Sequence, residues 1–403
     1  MKIRSLETFK ITLPFRFSFG HSLASRSESQ NLIVKITLDN GIIGWGEGVP
    51  RDYVTGENIV VAEENVLLKY TPLVMGMKFD EPDQLKSELQ SCFTSLGLRE
   101  KANGASWCAL ELAMLDACAQ YQEIPLHALI GRQVQDRVRY GGVIPFGKKK
   151  ALSAVLWFYK VYGFKTVKIK VGGADLGDDI EKLKLARSIM GESCIIRVDA
   201  NCAWDIDQTL RASEAFAPFN VSSFEQPLKA DEWDGLQRLS KEIEQDIVVD
   251  ESLCTLKQAE ELARDKVCNA FNVRVSKAGG VLPSAEMVKI ARENRIKVHM
   301  GAQVGESAIL SAAARHFACT NEAFENCEGS ANGFLLKSDI CAQNLTAGPG
   351  GIGNFTFAGK RTGLGLRVNE KRLCTFVESS GNNSELLAVN NTEAASPLSQ
   401  STR

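Results

Sequence analysis

The sequence predicts an α/β protein in which seven or eight βα units close into a barrel. From about residue 135, short runs rich in β-branched residues alternate with amphipathic segments. The polar residues that close five of these runs are spaced by 29, 26, 25 and 27 residues, close to the length of one βα unit: Lys170, Asp199, Glu225, Asp250 and Lys277. The alternative, a doubly wound open sheet, favours a Gly-rich turn after its first strand, and no G-x-G-x-x-G motif follows the first predicted strand.

The residues before the barrel predict a smaller α+β domain. FKITL, NLIVKITL and GIIGWGE alternate as strands do, and Asp39-Asn40-Gly41 predicts a hairpin between the last two. The segment FRFSFGHSLASRSESQ predicts a loop, and residues 58–125 have helical spacing. We therefore expect the α+β domain at 1–125 and the barrel at 126–330. Residues 377–403 predict a disordered tail, because they largely lack aromatic residues and periodicity.

Composition limits the partners and the compartment. The 47 basic and 49 acidic residues give a net charge of −2, which excludes an electrostatic surface for nucleic acid. No run of about 18 apolar residues predicts a membrane span, and the charged N-terminus does not resemble a secretory signal. Eleven cysteines without a C-x-x-C pair favour reduced thiols. We expect a cytoplasmic homo-oligomer that acts on a small carboxylate substrate.

Three consecutive predicted strands end in a carboxylate, at Asp199, Glu225 and Asp250. Strand ends converge at the mouth of a barrel, where three unpaired acids need protons, cations or a metal ion. An all-oxygen ligand set predicts Mg²⁺, with Mn²⁺ also possible. The alternative is that each acid caps the helix after its strand. We expect Asp250 rather than its neighbour Glu251 to face inward, and Asn201 to support the site with a hydrogen bond.

Lysines flank these acids along the chain. Lys168 and Lys170 close the preceding strand, and Lys277 closes the following one. A lysine acts as a base only if its pKa falls from about 10.4 toward 7–8. Burial, the charge of Lys168 and a dication would all lower the pKa of Lys170, so Lys168 is a candidate catalytic residue too. The alternative is that the lysines form ion pairs with the neighbouring acids. A metal ion between two lysines predicts removal of the proton α to a carboxylate, an enediolate intermediate and return of a proton to the other face.

The five motifs KIK, VDAN, EQP, DES and SKAGG, in this order and spacing, resemble the enolase superfamily, specifically its muconate lactonizing enzyme subgroup. The resemblance covers about residues 1–376. It implies a modified (β/α)7β TIM-type barrel, a capping domain that closes over its mouth, and a segment at 331–376 that returns to the cap. It also implies that two cap loops shape specificity: one contains Phe17, Phe19 and His21, and the other contains Arg51, Tyr53 and Thr55. The alternative for these residues is a solvated loop surface.

The last two strands bear on the substrate. His299 lies inside its predicted strand, so we expect a buried barrel histidine, with Gln303 nearer the mouth. Dipeptide epimerases of this subgroup carry Asp-x-Asp on the eighth strand to hold the substrate ammonium, whereas this chain has Asn326-Cys327-Glu328. Glu328 thus supplies half of that counter-charge. The sequence predicts a racemase or epimerase of dipeptides or N-acyl amino acids. The alternatives are a cycloisomerase or syn-dehydratase of the muconate or o-succinylbenzoate type, and a catalytically silent barrel.

Overall fold

The computed structural model describes residues 2–20, 25–78, 81–355 and 361–382. It contains an antiparallel sheet of four strands, a parallel sheet of eight strands and a two-stranded ribbon. The antiparallel sheet has the strand order β14-β1-β2-β3 and consists of β1 (Ile3–Gly20), β2 (Ser25–Leu38), β3 (Ile43–Gly48) and β14 (Val377–Asn382). The helices that accompany it are α1 (Asp52–Thr55), α2 (Ile59–Glu64), a π-helix (Asn65–Tyr70), α3 (Thr71–Val74), α4 (Pro82–Ser95), α5 (Gly104–Tyr121) and α6 (His127–Ile130).

The parallel sheet forms the barrel. Its strands neighbour one another in chain order, and they are β5 (Gly142–Ile144), β6 (Thr166–Lys170), β7 (Ile195–Asp199), β8 (Val221–Glu225), β9 (Asp246–Val249), β10 (Ala270–Arg274), β11 (Lys297–Gly301) and β12 (Asn326–Cys327). Gly141 donates a hydrogen bond of 2.8 Å to the carbonyl of Cys327, which brings the two ends of the sheet together. The predicted α/β barrel with an α+β domain is therefore confirmed.

Helices connect the barrel strands, and short elements follow the last one. The connecting helices are α7 (Lys149–Tyr162), α8 (Leu176–Met190), α9 (Ile206–Phe216) with a 3₁₀ turn (Ala217–Phe219), α10 (Trp233–Glu242), α11 (Leu256–Arg264), α12 (Val275–Ala278), α13 (Val281–Glu293) and α14 (Ala308–Cys319). After the barrel come α15 (Asn332–Leu335), a 3₁₀ turn (Pro349–Gly351) and α16 (Glu370–Cys374). The ribbon pairs β4 (Arg137–Arg139) with β13 (Ile352–Asn354). No helix among the described residues is long and apolar enough to cross a membrane.

The structure corrects three local predictions. The expected strand RVRYGGVI is two strands, because its first part pairs with β13 outside the barrel and only Gly142–Ile144 joins the parallel sheet. The expected loop after residue 14 is largely strand, because Phe19 and Gly20 still pair with Arg26 and Ser25. The expected tail begins with a strand, since Val377–Asn382 pairs with β1, and residues 383–403 lie outside the described residues. All eleven cysteines are free, as predicted.

A stripe of glycines on β3 sets how closely the long helix α5 packs on the cap sheet. Gly44, Gly46 and Gly48 alternate along the strand, so they share one face. A Cβ at any of them would overlap the backbone carbonyl of an alanine on α5. The helix therefore lies against the strand at backbone distance, and its other side reaches the barrel.

Glu111 on α5 joins the cap to the barrel. Its carboxylate accepts hydrogen bonds of 2.7 Å from the backbone N–H of Val281 and 3.0 Å from that of Leu282, in the first turn of α13. Gly280, at φ 114°, makes this contact possible, because a Cβ there would overlap the carboxylate. A carboxyl group at this end of a helix accepts from two otherwise free donors and faces the positive end of the helix dipole, while burial raises the pKa of Glu111 to about 8.

We expect Glu111→Ala to lower the free energy of unfolding by about 1–3 kcal/mol, because it leaves one buried and one partly buried N–H group without acceptors. The measurement is chemical unfolding followed by circular dichroism. Glu88→Ala, at an exposed position of the cap helix α4, is the matched control and is expected to change stability by less than about 0.5 kcal/mol. Equal unfolding midpoints for Glu111→Ala and the wild type would show that this contact does not hold the two parts together.

Candidate active site

Five neighbouring strands bring the predicted lysines and acids to one end of the barrel. Strands β6 to β10 lie side by side, and their carboxyl ends meet at the same edge. On β6, Lys170 donates to Asp199 Oδ2 at 2.6 Å and to Asn201 Oδ1 at 2.7 Å. Asn201 also donates its backbone N–H to Asp199 Oδ1 at 3.0 Å, so it positions both groups. All three side chains are buried.

Lys277 reaches the same acids from a different element than predicted. Strand β10 ends at Arg274, and Lys277 lies on the short helix α12, which ends where Gly279 adopts φ 100°. The prediction that Lys277 closes a strand is therefore wrong. Its Nζ contacts Asp250 at both Oδ1, 2.7 Å, and the backbone carbonyl, 2.6 Å. The backbone carbonyl of Lys277 abuts Gly104 at the start of α5, where a Cβ would overlap it.

Lys168 is surrounded by carboxylates. Its Nζ lies 2.8 Å from Glu225 Oε1, 2.7 Å from Glu328 Oε2 and 3.3 Å from Asp199 Oδ2. Burial alone would lower the pKa of Lys168, but these acids outweigh it and raise the pKa. These contacts are those of the ion-pairing alternative, in which Lys168 holds acids together and remains charged.

The environment of Lys277 shifts its pKa in the opposite direction, downward. Burial is the largest effect on the pKa of this amine, and it outweighs the opposing effects of Cys254, Glu251 and Glu225. With the nearby charge of Arg274 acting in the same direction as burial, the pKa of Lys277 is lowered to about 8. Of Lys168 and Lys277, only Lys277 has its pKa shifted in the direction that general base catalysis requires.

Both Asp250 and Glu251 lie in the site. Asp250 contacts Lys277 and accepts a hydrogen bond from Arg274, while Glu251 accepts one of 3.0 Å from Asn201 Nδ2. The prediction that only one of the pair faces inward is therefore wrong, because the chain turns after Val249 and no longer alternates as a strand. Burial raises the pKa of Glu251, and the charge of Asp199 adds to this.

A cavity of about 170 Å³ opens above these residues between the cap and the barrel. Of the predicted residues, those that line it are Lys168, Lys170, Asn201, Glu328, Gln303, Arg51, Tyr53, Phe17 and Phe19. Thr55 is not among the lining residues. Its hydroxyl accepts from the backbone N–H of Arg51 at 2.9 Å, so it stabilises the turn that begins α1. The predicted substrate contact for Thr55 is therefore wrong, and His21 lies outside the described residues.

His299 is a buried barrel residue, as predicted. Its Nδ1 lies 3.2 Å from Arg197 Nη1 and its Nε2 lies 3.3 Å from Asn326 Nδ2. Burial lowers its pKa, and Arg197 lowers it further. The imidazole is therefore neutral and already has a contact at each ring nitrogen.

Several residues of the site were not predicted. Arg197 donates to Glu328 Oε1 at 2.7 Å, and Asn272 donates to Glu225 Oε1 at 2.9 Å. Arg274 also donates to Gln303 Oε1 at 2.9 Å. The signal was present in the sequence, because each of these residues is polar and stands two positions from another inward-facing residue in an apolar strand. Two further cavity residues, Arg26 and Glu306, lie in loops or at strand ends, where no such pattern exists.

The residues present fit a hard divalent cation by their chemistry. Asp199, Glu225 and Asp250 offer only oxygen atoms, the ligands that Mg²⁺ prefers. The buried oxygens Glu225 Oε2 and Glu251 Oε2 have no hydrogen-bond partner, and a nearby cation offsets the cost of such burial; Arg197 Nη1 already lies 3.7 Å from Glu225 Oε2. Side-chain ammonium and guanidinium groups contact the three acids, and no group of three His, Cys, Asp or Glu residues in the described part of the chain has metal-binding geometry.

Comparisons with known proteins agree with this fold. Residues 153–372 match the enolase C-terminal domain-like family, and residues 4–131 match the mandelate racemase/muconate lactonizing enzyme N-terminal domain. The L-Lys-D/L-Arg epimerase of Methylococcus capsulatus is 30% identical over 89% of this chain and 96% of its own length. The barrel, its cap and the acids at its mouth define a member of the enolase superfamily. The chain belongs to the mandelate racemase/muconate lactonizing enzyme family within it.

Two solved structures share the fold. That of the N-succinyl Arg/Lys racemase from Bacillus cereus ATCC 14579 has a TM-score of 0.86, is 24% identical and covers 95% of this chain and 100% of its own. That of the dipeptide epimerase from Enterococcus faecalis V583, complexed with Mg and the dipeptide L-Leu-L-Tyr, has a TM-score of 0.81, is 23% identical and covers 91% and 99%. The named relatives are isomerases, which supports an isomerase here.

Proposed function

We propose that the protein is a Mg²⁺-dependent racemase or epimerase that removes the proton α to a carboxylate. The observation that supports this most is the order of side chains around the barrel mouth. Lys170 contacts the first of three acids, Asp199, and Lys277 contacts the last, Asp250. An amine therefore stands at each end of a carboxylate row, as a reaction at both faces of one carbon requires.

In this proposal Asp199, Glu225 and Asp250 hold the cation. When bound, Mg²⁺ supplies positive charge that offsets the negative charge developing on the substrate carboxylate. Asn201 and Asn272 orient the acids, through the backbone N–H of Asn201 on Asp199 and the amide of Asn272 on Glu225. Such contacts to the ligands of a metal ion fix their orientation.

The two lysines carry out the proton transfers. The neutral amine of one takes the α-proton of the substrate and gives an enediolate, and the ammonium group of the other returns a proton to the opposite face. The lowered pKa of Lys277, about 8, leaves a fraction of this amine neutral near neutral pH. Lys170 lines the cavity directly and donates to Asn201 Oδ1, so its amine is held beside the space that a substrate would fill.

The contacts of Glu328 favour an N-acyl amino acid over a dipeptide as the substrate. A dipeptide carries a free α-ammonium group that needs an unpaired carboxylate. Both oxygens of Glu328 are already bound, Oε1 to Arg197 and Oε2 to Lys168, each at 2.7 Å. An acylated nitrogen carries no charge and needs no such partner.

The test is a screen in D₂O of N-acyl amino acids and dipeptides, each as one enantiomer, with added Mg²⁺ and with EDTA as the control. We expect deuterium at the α-carbon together with loss of optical activity, dependent on Mg²⁺, and stronger with N-acyl substrates. Formation of an alkene or a lactone isomer without racemisation would instead support the syn-dehydratase or cycloisomerase. Absence of α-proton exchange with every compound would contradict the proposed function.

A further inference from the structure

Two arginines line the cap end of the cavity without a carboxylate partner. Arg26 stands on β2 and Arg51 directly precedes α1, and Arg51 is only 4% exposed. No Asp or Glu oxygen among the described residues lies within 4.0 Å of either guanidinium group. The acids at the barrel mouth, in contrast, are paired with protein cations. No direct ion pair therefore cancels the positive charge at this end of the cavity, although Glu306 and Asp52 lie near enough to Arg51 to act on its pKa.

Neutral acceptors hold Arg51 in place. Its Nη1 donates to the carbonyls of Pro50, at 2.7 Å, and Gln30, at 3.2 Å. Its Nη2 donates to Ser29 Oγ, at 2.8 Å, and to the carbonyl of Val304, at 3.0 Å. These contacts fix the guanidinium group but do not offset its charge. Burial and the nearby charge of Arg26 lower the pKa of Arg51 to about 10, so it stays protonated at neutral pH.

Arg26 has an N–H group without an acceptor. Its Nε is buried and has no hydrogen-bond partner, and its guanidinium group lies 5.8 Å from the centre of the Tyr53 ring. A buried N–H without an acceptor costs about 1–3 kcal/mol, which a ligand atom can recover. At the cavity wall, Arg26 therefore offers an anionic ligand a positive charge and an N–H donor that has no acceptor.

The carboxyl groups that line the described cavity form no ion pair with Arg26 or Arg51. Glu328 is bound by Lys168 and Arg197. Burial raises the pKa of Glu306 to about 8, so this group is mostly neutral near pH 7. Glu251 lies on the barrel side, where it accepts a hydrogen bond of 3.0 Å from Asn201 Nδ2. The positive charge of Arg26 and Arg51 at the cap end is therefore available to a negatively charged ligand.

We propose that Arg26, beside the fixed charge of Arg51, binds a second carboxylate of the substrate. This rests on the proposed function, in which the reacting α-carboxylate lies at the barrel mouth. The second carboxylate then lies at the cap end, either on the N-acyl group or on the amino acid side chain. A charge-assisted contact between guanidinium and carboxylate is stronger than a neutral hydrogen bond and selects the acid over its amide.

The experiment is calorimetric binding of N-succinylglycine and of its terminal amide, N-succinamoylglycine, to the full chain with Mg²⁺. Neither compound has a chiral centre, so the readout does not depend on racemisation. We expect the acid to bind about 10–100-fold more tightly, since each tenfold corresponds to about 1.4 kcal/mol. Arg26→Gln should abolish this preference, and Arg26→Lys should retain part of it. The control Arg4→Gln, at an exposed position of the cap sheet, should leave it unchanged.

A second pair, N-acetylglutamate and N-acetylglutamine, locates the charge. Preference for the acid only in the succinyl pair assigns the second carboxylate to the acyl group, and preference only in the glutamyl pair assigns it to the side chain. Equal affinities in both pairs, or a preference that survives Arg26→Gln, would overturn the proposal. If the wild type discriminates acid from amide but exchanges no α-proton, the anion site stands and the proposed function fails.

Discussion

Replacing either Lys170 or Lys277 by alanine is expected to lower racemisation by about 10²–10⁴-fold, the usual contribution of a positioned acid or base. Each variant should still exchange the α-proton of one enantiomer with D₂O, because the remaining lysine serves one face. The two variants should therefore retain exchange of opposite enantiomers. The measurement is proton NMR of the α-position for each enantiomer separately.

Lys289→Ala is the control for these variants, because Lys289 is 73% exposed on the barrel surface. It is expected to racemise at the wild-type rate. Circular dichroism checks that the two active-site variants fold, since Lys277 is a buried partner of Asp250. Wild-type racemisation by both Lys170→Ala and Lys277→Ala would rule out the two-base mechanism.

Glu328→Gln is expected to destabilise the protein by about 3–5 kcal/mol, the range for breaking a buried ion pair by removing one partner. The amide leaves Lys168 and Arg197 as two buried cations with one fewer carboxylate. Chemical unfolding measures the effect. Glu244→Gln, at an exposed position, is the control and should change stability by less than about 0.5 kcal/mol.

The effect of Glu328→Gln on the free energy of unfolding is also expected to depend on pH. Burial alone would raise the pKa of Glu328, but Lys168 and Arg197 outweigh it and lower the pKa to about 2 from its usual 4.5. A lowered acid pKa stabilises the fold above the unfolded pKa, and this stabilisation is lost as the pH falls from 4.5 toward 2. The difference in stability between wild type and Glu328→Gln should therefore shrink over that range. A constant difference from pH 6 to pH 3 would show that Glu328 is not held by these cations.

The regular spacing of βα units made the barrel and the row of acids predictable. Strand ends in a barrel must converge, so Asp199, Glu225 and Asp250 were identified from alternation and spacing alone. The partner of each lysine was not predictable in this way. Lys168 and Lys170 stand on the same face of one strand and share Asp199, yet only Lys168 also pairs with Glu225 and Glu328.

Loop residues were the least predictable. Thr55 and Arg51 belong to the same sequence stretch, but the turn at the start of α1 separates their roles. The Thr55 hydroxyl bonds the backbone N–H of Arg51, whereas the Arg51 side chain lines the cavity. Turn geometry of this kind depends on tertiary packing and has no sequence period. The strand Val377–Asn382 was missed for a related reason, since its polar sequence pairs through the backbone and not through an apolar face.

The contacts of Gly104, Glu111 and Gly280 between the cap and the barrel bear on the design of chimeras within this family. Gly104 touches the backbone of Lys277, and Glu111 holds the helix that follows it. A chimera that takes its cap from a relative would therefore also replace the surface against which Lys277, one of the two proposed proton-transfer residues, rests. On the proposed function, grafts that keep residues 104–121 with their own barrel should preserve turnover, whereas exchange of the whole cap would change the contacts of Lys277 along with the cap loops.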